Sequence, residues 1–257
     1  MNMQIKIQKP YSFCETGRRN NNEDCIFPEK GDANEQDKLF IVCDGIGGYE
    51  GGEIVSNAVC KSLSYFLSKV EFFDRNIFQQ ALDATYGELD KMCDSGMIGN
   101  RAGTTLTLLY LYEKGAFMAH IGDSRIYHLR KYSDKTEILY QSEDHSFVNE
   151  LVKMGVITPQ KALTHPQRNI ITKAMQPHQE QRDEAEIHET DDIKKGDYFL
   201  LCTDGVLEQL DDKKLCGIFD LDISLKEKGE IIAETCKNES KDNYSAYLIA
   251  VDDVKSK

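Results

Sequence analysis

A chain of 257 residues, 40 % of them hydrophobic, has enough apolar side chains to bury a sizeable core, and one continuous domain over 1–257 is the expectation. Its 31 Lys and Arg face 44 Asp and Glu, and a net charge of −13 argues against nucleic acid or an anionic membrane surface as a partner. No apolar run reaches the roughly eighteen residues needed to span a bilayer, the start Met1-Asn2-Met3-Gln4-Ile5-Lys6 lacks a secretory core, and the eight cysteines are scattered without a Cys-x-x-Cys pair, so a cytoplasmic protein with reduced thiols is expected.

The first strand pattern, 39–43, runs straight into Asp44-Gly45. Helical spacing follows over 53–68, where Ile54, Val55, Ala58, Val59, Leu63, Phe66 and Leu67 share a face, and again through Ile77, Phe78, Ala81, Leu82, Tyr86, Leu89 and Met92. Strand patterns come next at 104–112, 116–121, 125–129 and 137–141. The links Glu113-Lys114-Gly115 and Gly122-Asp123-Ser124 read as hairpin turns, which predicts an antiparallel meander. A strand at 197–203 ends in Asp204-Gly205, a helix is expected around 225–237, and a last strand at 245–251. Paired amphipathic helices between strands predict antiparallel sheets with helices layered outside.

Two of these strands share an ending, Phe40-Ile41-Val42-Cys43-Asp44-Gly45 and Phe199-Leu200-Leu201-Cys202-Thr203-Asp204-Gly205. A carboxylate at the end of a buried strand is costly to desolvate unless a cation neutralises it, and the glycine beside it admits close approach by other groups. Glu23-Asp24 and Lys241-Asp242-Asn243 place more acids beside strands. Oxygen donors without a His-Cys cluster suit Mg²⁺ or Mn²⁺, and Asp44 with the Gly45 carbonyl could bridge two ions. Taken singly, each mark is also an ordinary turn dipeptide. Gly45-x-Gly47-x-x-Glu50 lacks the last glycine of a dinucleotide loop, and the chain has neither a Gly-Lys-Ser/Thr phosphate loop nor calcium-loop spacing.

In chain order the sequence carries Gly17-Arg18-Arg19-Asn20-Asn21-Asn22-Glu23-Asp24, Asp44-Gly45-Ile46-Gly47-Gly48, Ala102-Gly103-Thr104-Thr105 and His120-Ile121-Gly122-Asp123-Ser124-Arg125. Glu143-Asp144-His145-Ser146, His165-Pro166-Gln167-Arg168-Asn169, Asp204-Gly205 and Asp242-Asn243 follow. This succession, over nearly the whole chain, resembles the metal-dependent Ser/Thr protein phosphatases (PPM family, type 2C), particularly their compact bacterial form. The resemblance implies an α+β fold, a four-layer α-β-β-α sandwich of two mainly antiparallel sheets flanked by antiparallel helices, with a flap segment at about 146–178. It implies hydrolysis of phosphoserine and phosphothreonine by a metal-bridging water without a phosphoenzyme, using two Mg²⁺ or Mn²⁺ ions and room for a third.

Carried over residue by residue, Asp44, Asp204 and Asp242 would hold one metal, Asp44 and the Gly45 carbonyl the second, and Asp123 with Asp204 a weaker third. Glu23 and Asp24 would sit in the outer shell, and Arg19 would bind phosphate, with Arg18 as its adjacent competitor. Phosphorylated Ser/Thr proteins are the implied partners, a cognate Ser/Thr kinase is a further candidate, and a monomer is expected. A cysteine phosphatase would need Cys-x5-Arg, whereas Cys14 and Arg19 have four residues between them, so Cys14 should be dispensable. The chain departs from the family where some members place a catalytic histidine after Asp-Gly, here Ile46, which leaves the general acid unassigned. Tyr49 stands where bacterial members often carry His, and Thr203 where Ser is common. Neither His145 nor His165 is expected to fill the vacancy, a structural hydrogen bond being the commoner role for a lone histidine. The competing readings are a non-catalytic phosphoprotein-binding module of the same fold and a phosphatase for a small metabolite.

Overall fold

The structure, a computed structural model, describes residues 2–47 and 51–256, so the Gly48-Tyr49-Glu50 part of the Asp-Gly-x-Gly-Gly motif, with the Tyr49 departure, lies outside the described residues. The chain starts with β1 (Met3–Ile7), β2 (Tyr11–Glu15), β3 (Cys25–Phe27), β4 (Leu39–Cys43) and the short β5 (Gly45–Ile46). Helices α1 (Gly52–Leu67) and α2 (Arg75–Asp94) lead to β6 (Gly103–Thr104), β7 (Leu106–Tyr112), β8 (Gly115–Ile121), β9 (Arg125–Lys131) and β10 (Thr136–Gln141). Short helices α3 (Phe147–Lys153) and α4 (Pro159–Ala162) precede β11 (Glu186–Thr190), β12 (Asp197–Cys202), α5 (Asp204–Leu207), α6 (Asp212–Asp220), α7 (Leu225–Glu239) and β13 (Tyr244–Ser256).

Two antiparallel sheets form the middle of the molecule, one ordered β1-β13-β12-β9-β10 with β2 also paired to β13, the other ordered β11-β8-β7-β4-β3. Successive side chains of a strand point to opposite faces, and β4 shows what that does here. Phe40 and Val42 meet Phe199, Leu201, Tyr247 and Ile249 of the facing sheet, while Leu39, Ile41 and Cys43 meet Val55, Val59 and Leu63 of α1 and Phe78 and Leu82 of α2. All five residues of β4 are buried, which is why its sequence is an unbroken apolar run rather than an alternation. On the outer face of the first sheet, Leu215, Phe219 and Ile232 from α6 and α7 cover Leu129, Leu200 and Leu248. The result is the four-layer α-β-β-α sandwich expected from the sequence. The helices start where local chemistry allows: Asp74 accepts from the N–H of Ile77, and Ser224 and Glu227 form a capping box.

Two expectations are corrected. The run 104–112 is two strands, because Thr105 breaks it: β6 pairs with β5, and β7 begins beyond it in the larger sheet. The meander is also interrupted. Glu113-Lys114 does turn β7 back along β8, with Tyr112 opposite Gly115. Gly122-Asp123-Ser124, however, carries the chain from one sheet into the other, since β8 pairs with β7 and β11 whereas β9 pairs with β10 and β12. A sharp turn around a glycine at φ 102 serves a crossing as well as a hairpin, so turn chemistry alone did not separate them.

One buried ion cluster ties the first sheet together. Asp197, fully buried at the start of β12, accepts from Arg130 Nε at 2.7 Å, Arg130 Nη2 at 2.9 Å, His128 Nε2 at 2.9 Å and the N–H of Lys194 at 2.9 Å. Burial alone would raise this acid, but the donors from Arg130, His128 and Lys194 outweigh it and bring its pKa down to about 2. A depressed acid stabilises the fold above its unfolded pKa and loses that contribution as pH falls through the folded value. Asp197→Asn should therefore cost about 2 kcal/mol in urea unfolding at neutral pH, and the gap to wild type should close between about pH 4 and pH 2. A gap that stays constant across that window would contradict this account.

Candidate active site

The two Asp-Gly strand ends come from different sheets and reach the same edge of the sandwich. Asp44, just beyond β4, and Asp204, opening α5 just beyond β12, line one cleft. Asp123, on the crossing between β8 and β9, and Asp242, just before β13, join them around a cleft of about 640 Å³ that Glu23, Gly45 and Arg19 also line. Asp24 is buried behind the cleft, where its Oδ2 accepts from Thr203 Oγ1 at 3.1 Å. A larger hollow of about 830 Å³ follows β1, but its acids Glu35, Asp37, Glu113 and Asp252 are offset by Lys6, Lys9 and Lys38.

The glycine after each aspartate seats the loop that brings the next acid. A Cβ on Gly45 would stand 2.5 Å from the Glu23 carbonyl oxygen, and one on Gly205 would stand 2.0 Å from the Asn243 carbonyl oxygen. Gly45 N–H donates to Glu23 O at 3.1 Å, and Ser56 Oγ donates to the same oxygen at 2.6 Å. Asn243 binds the two loops together, its Oδ1 accepting from the Glu23 N–H at 2.9 Å and its Nδ2 donating to Thr16 O and Asn21 O, each at 2.8 Å. Asp44 is held through its backbone: its N–H donates to Thr105 Oγ1 at 2.9 Å, and its carbonyl accepts from Thr104 Oγ1 at 2.8 Å and Thr105 N at 2.9 Å. Motif and spacing alone give Thr104, Thr105 and Asn243 no task; the signal present for the first two is a pair of threonines opening a largely apolar strand run.

Electrostatically the cleft is unbalanced. Burial raises the pKa of Asp44 well above the ordinary carboxylate range, and Asp24, Asp204 and Asp123 push it further. Asp24, Asp123 and Asp204 are likewise raised, first by burial and then by neighbouring carboxylates. Arg19 lines this cleft and donates from Nη2 to Asp242 Oδ2 at 2.6 Å, whereas Arg18 turns to the carbonyl of Asn238. Asp24 Oδ1 and Asp204 Oδ1 are buried without a hydrogen-bond partner, each a cost of about 1–3 kcal/mol if left so. Oxygen-only donors, orphaned carboxylate atoms and a deficit of positive charge fit hard divalent cations. Among the described residues, only His120, His145 and Glu186 bring three ligand atoms within 4.8 Å of one another. No three of the cleft carboxylates come that close together among the described residues.

Ile46 lines the cleft, and no histidine among the described residues does. His165 Nδ1 accepts from the Gln167 N–H at 3.2 Å within its own turn, and His145 Nδ1 accepts from the Gly122 N–H at 3.0 Å. Burial and the neighbouring His120 push the His145 pKa down to about 3, so its ring is neutral. Cys14 does not line the cleft, and burial raises its thiol above its usual range.

The family model for protein phosphatase 2C matches residues 18–248. Protein phosphatase PhpP of Streptococcus pneumoniae is 31 % identical over 254 residues, covering 92 % of this chain and 94 % of that protein. Among solved structures, the Staphylococcus aureus Ser/Thr phosphatase Stp1 superimposes with a TM-score of 0.81 at 29 % identity, covering 95 % of each chain. The catalytic domain of the Ser/Thr protein phosphatase PstP, solved in complex with two manganese ions, gives 0.78 at 25 % identity and covers 96 % of this chain and 100 % of its own.

If the two loops are seated by missing side chains, Gly205→Ala should force Asn243 away and cost about 1–3 kcal/mol of unfolding free energy. Gly87→Ala, in the middle of α2 with nothing within 4 Å of the new Cβ, should instead gain about 0.5–1 kcal/mol. Urea unfolding of both variants would decide, and a Gly205→Ala protein as stable as wild type would refute the seating.

Proposed function

This chain belongs to the protein phosphatase 2C family, and we propose from that membership and from its carboxylate cleft that it is a metal-dependent phosphatase acting on phosphoserine and phosphothreonine in proteins. The observation that carries the reading is the meeting of Asp44 and Asp204, from different sheets, in a cleft whose lining offers Arg19 as its cation. We assign Asp44, Asp204 and Asp242 to one cation, Asp44 and the Gly45 carbonyl to a second, and Asp123 with Asp204 to a third. Glu23 and Asp24 would hold water around them. The oxygen donors, and the manganese bound by the PstP catalytic domain, favour Mn²⁺ or Mg²⁺.

Bound divalent cations supply the positive charge that acidifies a water and offsets the charge of a phosphate ester. The chain's own residues set where that happens. Unneutralised, Asp44, Asp204 and Asp242 repel a phosphate dianion, so binding of the ester is conditional on cations by electrostatics alone. Arg19 sits on the rim with its side chain 60 % exposed, and the planar fork that touches Asp242 keeps further donors for two phosphate oxygens. Ile46 offers no proton to the leaving alkoxide and no histidine among the described residues lines the cleft to replace it, so we assign that proton to a water. Cys14 lies outside the cleft lining, so no cysteine nucleophile faces the phosphate there, and we assign the attack to water without a phosphoenzyme.

The eight scattered cysteines, without a Cys-x-x-Cys pair, support a reducing compartment and with it our reading of a cytoplasmic protein, and a net charge of −13 favours a monomer. No helix among the described residues is long and apolar enough to cross a membrane. A cognate Ser/Thr kinase would supply its substrates.

Hydrolysis of p-nitrophenyl phosphate should require added Mn²⁺ or Mg²⁺, stop with chelator, and fall by about a hundredfold or more in Asp204→Asn. Activity that survives both would eliminate the two-cation reading. Arg19→Ala should lower kcat/KM by roughly tenfold or more, and Arg18→Ala by no more than about twofold. The opposite ranking would exchange their roles.

A further inference from the structure

The start of the 146–178 segment is fastened to the body at a joint that grips the turn bearing Asp123, while its last residues are held separately, Met175 pairing with Thr104 and the His178 N–H donating to Asp90. His120 Nε2 donates to the Glu143 carbonyl at 2.8 Å, and Arg125 makes two bonds to Asp144, from Nε at 2.6 Å and Nη2 at 2.7 Å. His145 N–H donates to Gly122 O at 2.9 Å, while the Gly122 N–H donates back to His145 Nδ1 at 3.0 Å. Residues 170–172 come back to the same joint, with Thr172 N–H donating to His145 O at 2.8 Å and Phe147 N–H to Ile170 O at 2.8 Å. Asn169 and Ile171, just before Thr172, line the carboxylate cleft. Beyond Asp123, Ser124 Oγ is 2.8 Å from Thr105 Oγ1, the atom that holds the Asp44 N–H.

By proximity alone His120, His145 and Glu186 could be taken for a metal site. Tautomer chemistry opposes that. Because Nδ1 of His145 accepts a backbone proton, the ring carries its own proton on Nε2, the atom 3.4 Å from Glu186 that a metal would need bare. The two imidazoles are also stacked, 4.6 Å between centroids and within 5° of parallel, so their lone pairs lie in separate planes.

We propose that His145 is a positioning residue, which fixes Asp123 in the cleft by holding Gly122 from both sides and links that carboxylate to the 146–178 segment through Thr172. The inference rests on the assignment of Asp123 to a cation made above, and it deepens that assignment by naming the side chain that keeps the site in place. The acceptor at Nδ1 is the operative atom. Asn offers Oδ1 at a similar distance from the backbone, and Leu fills comparable space with no acceptor.

Two readouts on the full chain test this. Amide hydrogen exchange of the metal-free protein should rise by about tenfold over 120–124 and 169–173 in His145→Leu, and stay within about threefold of wild type in His145→Asn. In Mn²⁺ titrations followed by electron paramagnetic resonance, the binding step that Asp123→Asn abolishes should weaken about tenfold in the Leu variant and recover in the Asn variant, with the tighter steps unchanged. Should His145→Leu fail to fold, Asp144→Asn loosens the same joint and should raise exchange over the same residues. Wild-type exchange and Mn²⁺ binding in the Leu variant would overturn the proposal, as would failure of Asn to rescue. If Asp123→Asn abolishes no Mn²⁺ step, Asp123 holds no cation and the proposal falls, while chelator-sensitive, Asp204-dependent hydrolysis would still stand by itself.

Discussion

Mutual repulsion among buried carboxylates is the constraint around which this molecule is built. Asp24, Asp44, Asp123 and Asp204 each bear the cost of leaving water and then the charge of neighbouring carboxylates, with Asp204 acting on the other three, and Arg19 answers chiefly one further acid, Asp242. Left to relax, such groups would separate or protonate. They are kept together because each is held by its backbone rather than by its charge. Thr104 and Thr105 hold the peptide groups flanking Asp44, and Asn243 binds the loops of Glu23 and Asp242. Gly45 and Gly205 allow main chain to pack where any side chain would collide.

That backbone grip depends on the sandwich. Asp44 and Asp204 end strands in two different sheets, so their separation is set by how the sheets stack, through Phe40 and Val42 on one side and Phe199, Leu201 and Tyr247 on the other. An interior packed to crystal-like density transmits a misfit instead of absorbing it. The outer helices matter for the same reason: α1 covers β4 and also supplies Ser56, whose hydroxyl reaches the Glu23 carbonyl.

How much of this could be read in advance follows from where each element lies. β4, and β12 after its opening Asp197, are apolar runs and were plain in the sequence; α1, α2 and α7 were plain from their spacing. The strands that escaped notice are short or lie at edges. In β1, Gln4 and Lys6 face solvent, and β11 is Glu-Ile-His-Glu-Thr, with no residue fully buried. Helices α3 and α4 are too short for periodicity to mark them, although Ser146 and Thr158 cap them. The acids of the cleft were legible as carboxylates at strand ends beside glycine. Their convergence was not legible from pattern, because periodicity says which face a residue takes and nothing about which strand of another sheet it will meet. For the same reason Gly122-Asp123-Ser124 looked like a hairpin, although its crossing between sheets is what delivers Asp123 to the cleft.

The proposed cation assignments also depend on one another electrostatically. Asp44 is raised by Asp24, Asp204, Asp123 and Asp242, so any charge neutralised at Asp44 or Asp204 makes ionisation of the rest less costly. Asp123 feels Asp204 first among its neighbours and then Asp144, whose two bonds from Arg125 spread part of that charge. A cation at Asp44 and Asp204 therefore weakens the field that would attract another to Asp123 while making the Asp123 carboxylate easier to ionise. These effects act in opposite directions, so on the proposed assignment the geometry of the Gly122 turn would matter beside net charge, and His145 is the side chain whose ring nitrogen accepts from the Gly122 N–H in that turn.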